Sequence, residues 1–169
     1  RPRFFDGAPR GLAFADQFVF RDGNQVRMEP LEARHRQRVG LPFAYEKDAY
    51  PSAFVELLRS CWKYELDTEE MVQMLRQWIG AALLGEATTY QKALVFYGEG
   101  ANGKSTVQKI VQAMFPRAAV TSITPQDMGH EYKRAMLSTS RLNVVAEMPE
   151  ADILVGEAVK ALIAGDLVT

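Results

Sequence analysis

The sequence has 169 residues, with 47% hydrophobic and 24% charged side chains and a net charge of −1 at pH 7. This composition is typical of a globular chain, and a charge so near zero gives no general attraction to polyanions. The single cysteine, Cys61, excludes an internal disulfide and fits a reducing compartment. No apolar run reaches the roughly 18 residues of a membrane span and no signal-peptide pattern is visible, so we expect a cytoplasmic protein that does not insert into a membrane.

The first 50 residues have the pattern of strands and turns. The runs GLAFADQFVF and QVRMEPL alternate apolar and polar residues on either side of RDGN, which predicts a β-hairpin. A basic loop, ARHRQRVGLPF, follows and ends in Gly40 and Pro42.

Two amphipathic helices are predicted next. Ser52, after Pro51, is the expected N-cap of the first helix, and the apolar residues of this helix recur at helical spacing. They are Phe54, Leu57, Leu58, Cys61 and Trp62. The second helix begins near Asp67, which resembles a capping box with Glu70, and ends at Gly85. Its predicted apolar face consists of Met71, Met74, Leu75, Trp78, Ile79 and Ala82. We interpret the aromatic residues as helical core rather than as platforms for bases.

From residue 91 onward, strand and helix patterns alternate. ALVFY (93–97) is a continuous apolar run, as expected of a parallel strand buried on both faces. AAVTSI (118–123) and LNVVA (142–146) are two further predicted strands, and a last helix is predicted over roughly 153–164. Another helix lies before them, with an apolar face of Val107, Ile110, Val111, Met114 and Phe115.

This alternation predicts an α/β domain over residues 91–169, preceded by a small α+β module over residues 1–90 with a β-hairpin and two helices. The chain neither opens on methionine nor closes on a turn. We therefore expect it to be a piece of a longer protein.

The stretch GEGANGKST at 98–106 matches the pattern G-x-x-x-x-G-K-[ST]. Glycines let the backbone take positive φ and approach a phosphate closely, and the N-terminus of the following helix favours an anion. Lys104 is expected to reach the β- and γ-phosphates, and the Ser105 hydroxyl to bind Mg²⁺. A glycine-rich turn with an accidental lysine is the competing interpretation, and the strand before and helix after the stretch disfavour it. We predict an ATP site formed by Gly98, Glu99, Gly100, Ala101, Asn102, Gly103, Lys104, Ser105 and Thr106.

An acidic side chain must accompany such a loop if the nucleotide is hydrolysed. RLNVVAEMPE places Glu147 at the C-terminal end of the strand predicted at 142–146. Ligands of open α/β sheets lie at strand C-termini, so Glu147 is predicted to face the loop as a catalytic residue that holds Mg²⁺ through water. Glu150 is interpreted as a solvated surface acid.

Three motifs together resemble those of the superfamily 3 helicases, the AAA+-like motors of phage and plasmid primase-helicases. They are LVFYGEGANGKST, RLNVVAEMPE and VKALIAGD. The family pattern has Glu at the position of Glu147, and a following segment with Lys, then Gly-Asp, at the positions of Lys160, Gly165 and Asp166. The segment from RGLAFADQFVF to AFVELL is similar to the region that precedes the ATPase, so the resemblance covers nearly the whole chain.

The resemblance implies an ATP-dependent DNA helicase of phage or plasmid replication, working as a hexamer in a bacterial host and using ATP and Mg²⁺. It implies a P-loop NTPase (AAA+-like) parallel sheet that is incomplete in this chain. In the family, a basic hairpin, a strand ending in a sensor asparagine and an arginine for the neighbouring subunit follow the Gly-Asp motif. That sensor strand lies between the strands that correspond to 93–97 and 142–146. No primase motif is visible.

DNA contact is expected to be electrostatic and largely independent of sequence. By resemblance, Lys160 lies toward the central channel of the ring and contacts phosphates. Arg34, Arg36 and Arg38 of the basic loop are further candidates. A solvated helix position is the alternative interpretation of Lys160.

Two other functions remain open at this stage. A small-molecule or nucleoside kinase also uses such a phosphate loop, and EYKRAMLSTSR could form its lid. A non-catalytic nucleotide-binding oligomerisation module is the other alternative. A GTPase is disfavoured because no N-K-x-D motif is present.

Overall fold

The computed structural model of the chain describes residues 7–98, 100, 102–146 and 157–164. Its strands are β1 (Leu12–Ala13), β2 (Gln17–Asp22), β3 (Gln25–Pro30), β4 (Val120–Thr121) and β5 (Leu142–Asn143). Its α-helices are α1 (Ser52–Cys61), α2 (Thr68–Leu83), α3 (Lys104–Ala113), α4 (Glu131–Ala135) and α5 (Glu157–Ala164). Short 3-10 turns lie at Ala33–His35, Ala87–Tyr90, Arg117–Ala119, Asp127–Gly129 and Met136–Thr139.

The first three strands form an antiparallel sheet in the order β1-β2-β3. Asp22 pairs with Gln25 across a two-residue turn, and Gly23 in that turn has a φ of 59°. Two-residue hairpin turns need positive φ, which glycine adopts without strain. The predicted hairpin is therefore confirmed.

A buried histidine fixes the start of the basic loop to this sheet. The His35 ring stacks on Phe18 with 4.3 Å between ring centroids. Its Nδ1 accepts a hydrogen bond from the Glu32 N–H, so Nε2 donates to the Glu29 carboxylate at 2.6 Å. This hydrogen bond, together with the nearby Arg34 guanidinium, lowers the pKa of Glu29.

Both predicted helices of the upstream region form. Ser52 is the first residue of α1 and not its N-cap as predicted, because the Pro51 carbonyl already accepts from the Val55 N–H at 3.0 Å. The predicted capping box is wrong, because the Asp67 side chain makes no capping hydrogen bond. The Thr68 hydroxyl instead bonds the carbonyls of Trp62 and Glu65, which holds the turn between α1 and α2. The predicted burial of Met74 is also wrong, since this side chain is 46% exposed on the outer face of α2.

One apolar cluster joins the two halves of the sequence. Leu58 of α1 and Leu75 of α2 are fully buried at its centre, and both tryptophans pack at its edge, as predicted. The buried members of the cluster are Val55, Leu58, Val72, Leu75, Ile79, Ala82, Val107, Val111, Phe115 and Leu142. The apolar face of α3 is thus buried against the upstream helices.

The second sheet is a parallel pair, β4 with β5, as the α/β pattern predicts. Each strand has only two residues, fewer than the predicted runs. Beyond them, the Asn143 side chain takes the place of a backbone partner for Ile123. Its amide accepts from the Ile123 N–H at 2.8 Å and donates to the Ile123 carbonyl at 2.9 Å. The architecture is therefore mixed α/β, with a three-stranded antiparallel sheet and a small parallel sheet among helices.

The predicted strand at 93–97 is not formed. Leu94 and Phe96 pack against the core, whereas Val95 and Tyr97 are 58% and 88% exposed. Among the described residues, no strand pairs with this segment and no backbone hydrogen bond holds it. Its apolar residues are buried on one face only, because a strand needs neighbours on both edges and helices on both faces to be buried throughout.

Helix α5 lies beside the turns Ala87–Tyr90 and Asp127–Gly129. Within the described ranges, no helix has the length and apolar content required to cross a lipid bilayer.

The core assignment can be tested on two neighbouring residues of α2. Leu75→Ala should lower the free energy of unfolding by about 2–5 kcal/mol, because it leaves a cavity at a fully buried position. Met74→Ala should change it by less than about 1 kcal/mol, because this side chain is half exposed. Urea denaturation followed by circular dichroism measures both values, and equal losses would contradict the observed orientation of the helix.

Candidate functional site

The glycine-rich stretch forms a loop that leads directly into α3. Gly103 precedes the helix with a φ of 87°, and Gly98 at the start of the loop has a φ of 143°. Residues with a side chain rarely adopt such positive φ values, so the loop requires glycine at both positions. Both are glycines that the sequence motif fixes.

The side chain of Lys104 turns back into this loop. Its Nζ donates to the Gly98 carbonyl at 2.7 Å and to Asn102 Oδ1 at 2.9 Å. The Asn102 amide lies over the Cα of Gly98, where a Cβ would come within 2.8 Å of Asn102 Nδ2. The ammonium group of Lys104 thereby links three residues of the motif, Gly98, Asn102 and Lys104 itself.

The N-terminus of α3 can receive an anion. Gly103 is the N-cap residue, and it provides no side-chain hydrogen bond to the first N–H groups of the helix. The N–H groups of a first helical turn and the helix dipole both favour negative charge at this end. Ser105 and Thr106 are exposed in the first turn. The loop therefore combines a cation, backbone donors and two hydroxyl groups.

A cavity of about 390 Å³ opens beside the loop, between residues 94–97 and 142–146. A single water occupies about 30 Å³, so the cavity is more than a packing defect. Lys104 and Ser105 line one part of it and Trp78 of α2 another. The remaining lining residues are Leu94, Val95, Phe96, Tyr97, Gln108, Val111, Leu142, Asn143, Val144, Val145 and Ala146.

Metal binding at this site would depend on the Ser105 hydroxyl. No group of three His, Cys, Asp or Glu side chains that could hold an ion occurs in the described part of the chain. Magnesium usually keeps several waters and shares phosphate oxygens with few protein ligands, so one hydroxyl beside the phosphate loop fits it. The predicted Glu147 lies outside the described residues, as do Glu99, Ala101, Glu150, Gly165 and Asp166.

The candidate DNA-contacting residues differ in their surroundings. Arg34 is paired with Glu29 at 3.3 Å and with Glu32 at 2.9 Å, so much of its charge is compensated. Arg36 donates to the Gly7 carbonyl, and Arg38 is exposed. Lys160 is exposed on α5.

Two further arginines bind the turn beside α5. Arg10 donates to the Thr89 hydroxyl at 3.2 Å, and Arg21 donates to the Tyr90 hydroxyl at 2.8 Å. The turn Ala87–Tyr90 that they contact is the one beside which α5 lies. These contacts had no signal in the sequence, because they join segments that are far apart along the chain.

Arg141, the first residue of RLNVVAEMPE, connects the basic loop, α2 and β5, and the sequence analysis gave it no role. It donates to the Leu83 carbonyl at the end of α2, at 2.5 Å, and to Gln37 Oε1 at 2.9 Å. A cation at a helix C-terminus is favourable, although burial lowers the pKa of Arg141. The segment that leads toward Glu147 is therefore tied to the segment that carries Arg36 and Arg38.

The model of one protein family matches residues 96–169, and this family is described as a family of unknown function (DUF5906). The match begins at residue 96, just before the glycine-rich loop, and includes this loop, RLNVVAEMPE and VKALIAGD. No curated protein and no solved structure matched the chain.

Proposed function

We propose that the chain binds Mg-ATP through residues 98–106. The observation that carries this proposal is the position of Lys104, whose ammonium group lies in a loop with two positive-φ glycines at the N-terminus of α3. A glycine-rich turn without a ligand would not need its lysine directed inward. A triphosphate would replace the oxygen of Asn102 on the ammonium group.

Each part of the loop has a separate task in this proposal. The backbone N–H groups around Gly103 hold the phosphate oxygens, and Lys104 neutralises charge on the β- and γ-phosphates. The Ser105 hydroxyl ligates Mg²⁺, which bridges the phosphates. Glu147 orients the attacking water and the hydration shell of the metal, and Glu99, Gly100, Ala101 and Thr106 complete the loop.

We further propose that the nucleotide drives DNA unwinding by a hexameric superfamily 3 helicase, to which this segment contributes the phosphate loop and the acidic motif. The order of the three motifs supports this proposal. The cavity between residues 94–97 and 142–146 also supports it, because the sensor strand of that family lies between the equivalent strands. A P-loop NTPase (AAA+-like) sheet would be completed by a strand in that position.

Nucleotide binding is tested by Lys104→Ala, which should abolish measurable Mg-ATP binding because it removes the only side-chain cation assigned to the phosphates. Lys109→Ala is the matched control, since Lys109 is exposed further along the same helix. Isothermal titration calorimetry of the 169-residue chain measures both. Equal affinities for the wild type and Lys104→Ala would refute the site.

Hydrolysis is tested by comparing two acids in a longer chain that includes the elements expected downstream. Glu147→Gln should retain ATP binding but lose most turnover, because the neutral amide cannot orient water as a carboxylate does. Glu150→Gln should have a milder effect. The steady-state ATPase rate and the ATP affinity are measured for each, and the reverse order of effects would move the catalytic role to Glu150.

DNA contact is tested in the same longer chain. Single-stranded DNA should stimulate ATP turnover, and Lys160→Ala should reduce the stimulation. A plot of log affinity against log salt concentration has a negative slope. The variant should reduce the magnitude of this slope by about 1 for each DNA phosphate that is no longer neutralised. Lys63→Ala, an exposed lysine in the α1–α2 connection, is the control. Unchanged stimulation would remove Lys160 from the DNA interface.

The same assays distinguish the alternative functions. Phosphate transfer to a small acceptor would favour a kinase, and ATP binding without turnover would favour an oligomerisation module.

A further inference from the structure

The last residue of α1 touches the phosphate loop. A Cβ built on Gly103 would lie 2.5 Å from Cys61 Sγ, so the thiol occupies the space into which any other side chain would point. Gly103 is also the N-cap residue of α3, and its carbonyl accepts the first hydrogen bond of the helix from the Val107 N–H at 3.0 Å. The contact therefore joins the C-terminal end of α1 to the point where the loop enters α3.

Neither side of this contact can move away freely. Val55 and Leu58 anchor α1 in the apolar cluster, and Val107 and Val111 anchor α3 in the same cluster. Close-packed interiors transmit a change of volume because they contain little free space. The distance between Cys61 and Gly103 is therefore set by the core, and the loop rests on a fixed support.

We propose that Cys61 is a positioning residue of the phosphate loop, which makes α1 part of the nucleotide site. This inference rests on the proposed binding of Mg-ATP. The Cys61 side chain supports Gly103 from the side opposite the phosphates, and its volume sets where the backbone N–H groups of the loop lie. Phosphates bound to the N–H groups around Gly103 would hold that residue against the thiol and suppress the fluctuations that expose Cys61, so nucleotide binding and thiol accessibility are coupled.

The chain has a single cysteine, so the rate at which N-ethylmaleimide alkylates it reports on this contact alone. Cys61 is partly exposed, and alkylation of the free protein is therefore measurable. Saturating Mg-ATP should slow the reaction at least about fivefold, the low end of the coupling found between two linked sites. In Lys104→Ala, Mg-ATP should leave the rate unchanged.

The outcomes separate the two proposals. If calorimetry detects Mg-ATP binding but the alkylation rate does not change, the role of Cys61 is refuted and the nucleotide site stands. If Mg-ATP does not bind, both are refuted. Gly103→Ala tests the contact without nucleotide, because its Cβ should displace the thiol and speed alkylation; an unchanged rate in a folded variant would refute the contact.

A volume series distinguishes positioning from a purely structural role. Cys61→Ser, which is nearly isosteric, should keep the affinity for Mg-ATP, whereas Cys61→Leu should weaken it about tenfold, because overpacking pushes Gly103 away from its place. Ser60→Leu introduces the same side chain at the exposed neighbouring position and should leave affinity unchanged. If Cys61→Leu lowers only the thermal midpoint of unfolding and keeps the affinity, the residue is structural and the proposal fails.

Discussion

The burial of apolar helical faces from both halves of the sequence in one cluster is the constraint on which the rest of the structure depends. Leu58 and Leu75 have no exposed surface, and the face of α3 that carries Val107 and Val111 closes over them. Burying a side chain of this size contributes about 1.5–3 kcal/mol to the stability of the fold, so the packing of these residues holds α3 in one position. Because the glycine-rich loop is attached to α3, the core also decides where the loop lies relative to α1.

Local patterns in the sequence predicted local structure well. The hairpin follows from two alternating runs around a turn that contains Gly23, and both upstream helices follow from apolar residues at helical spacing. The loop was predicted from its motif, and the positive φ values of Gly98 and Gly103 agree with the role given to its glycines. In each case the signal and the structure that it determines lie within a few residues of each other.

Features that depend on distant partners were predicted poorly or missed. The run at 93–97 has a strand composition, but a strand needs neighbours that composition cannot supply, and among the described residues it has none. The Cys61–Gly103 contact and the bonds of Arg141 join segments that are far apart in the sequence. Met74 was misplaced because Met71 and Met74 fit the same face as Leu75 on a helical wheel, and only packing selects which residues of the turn face inward.

The two oxygens that hold Lys104 make the entry of an anion into the loop an exchange reaction. An ammonium group has three donors, and Gly98 O with Asn102 Oδ1 already satisfies two of them. A small monovalent anion that displaces one neutral oxygen gains little, because it gives up its own hydration for a contact that the lysine already had. A polyphosphate gains more, since it reaches the ammonium group and the N–H groups of α3 at once. In the proposed binding, the loop would thus select ligands by charge and length rather than by shape.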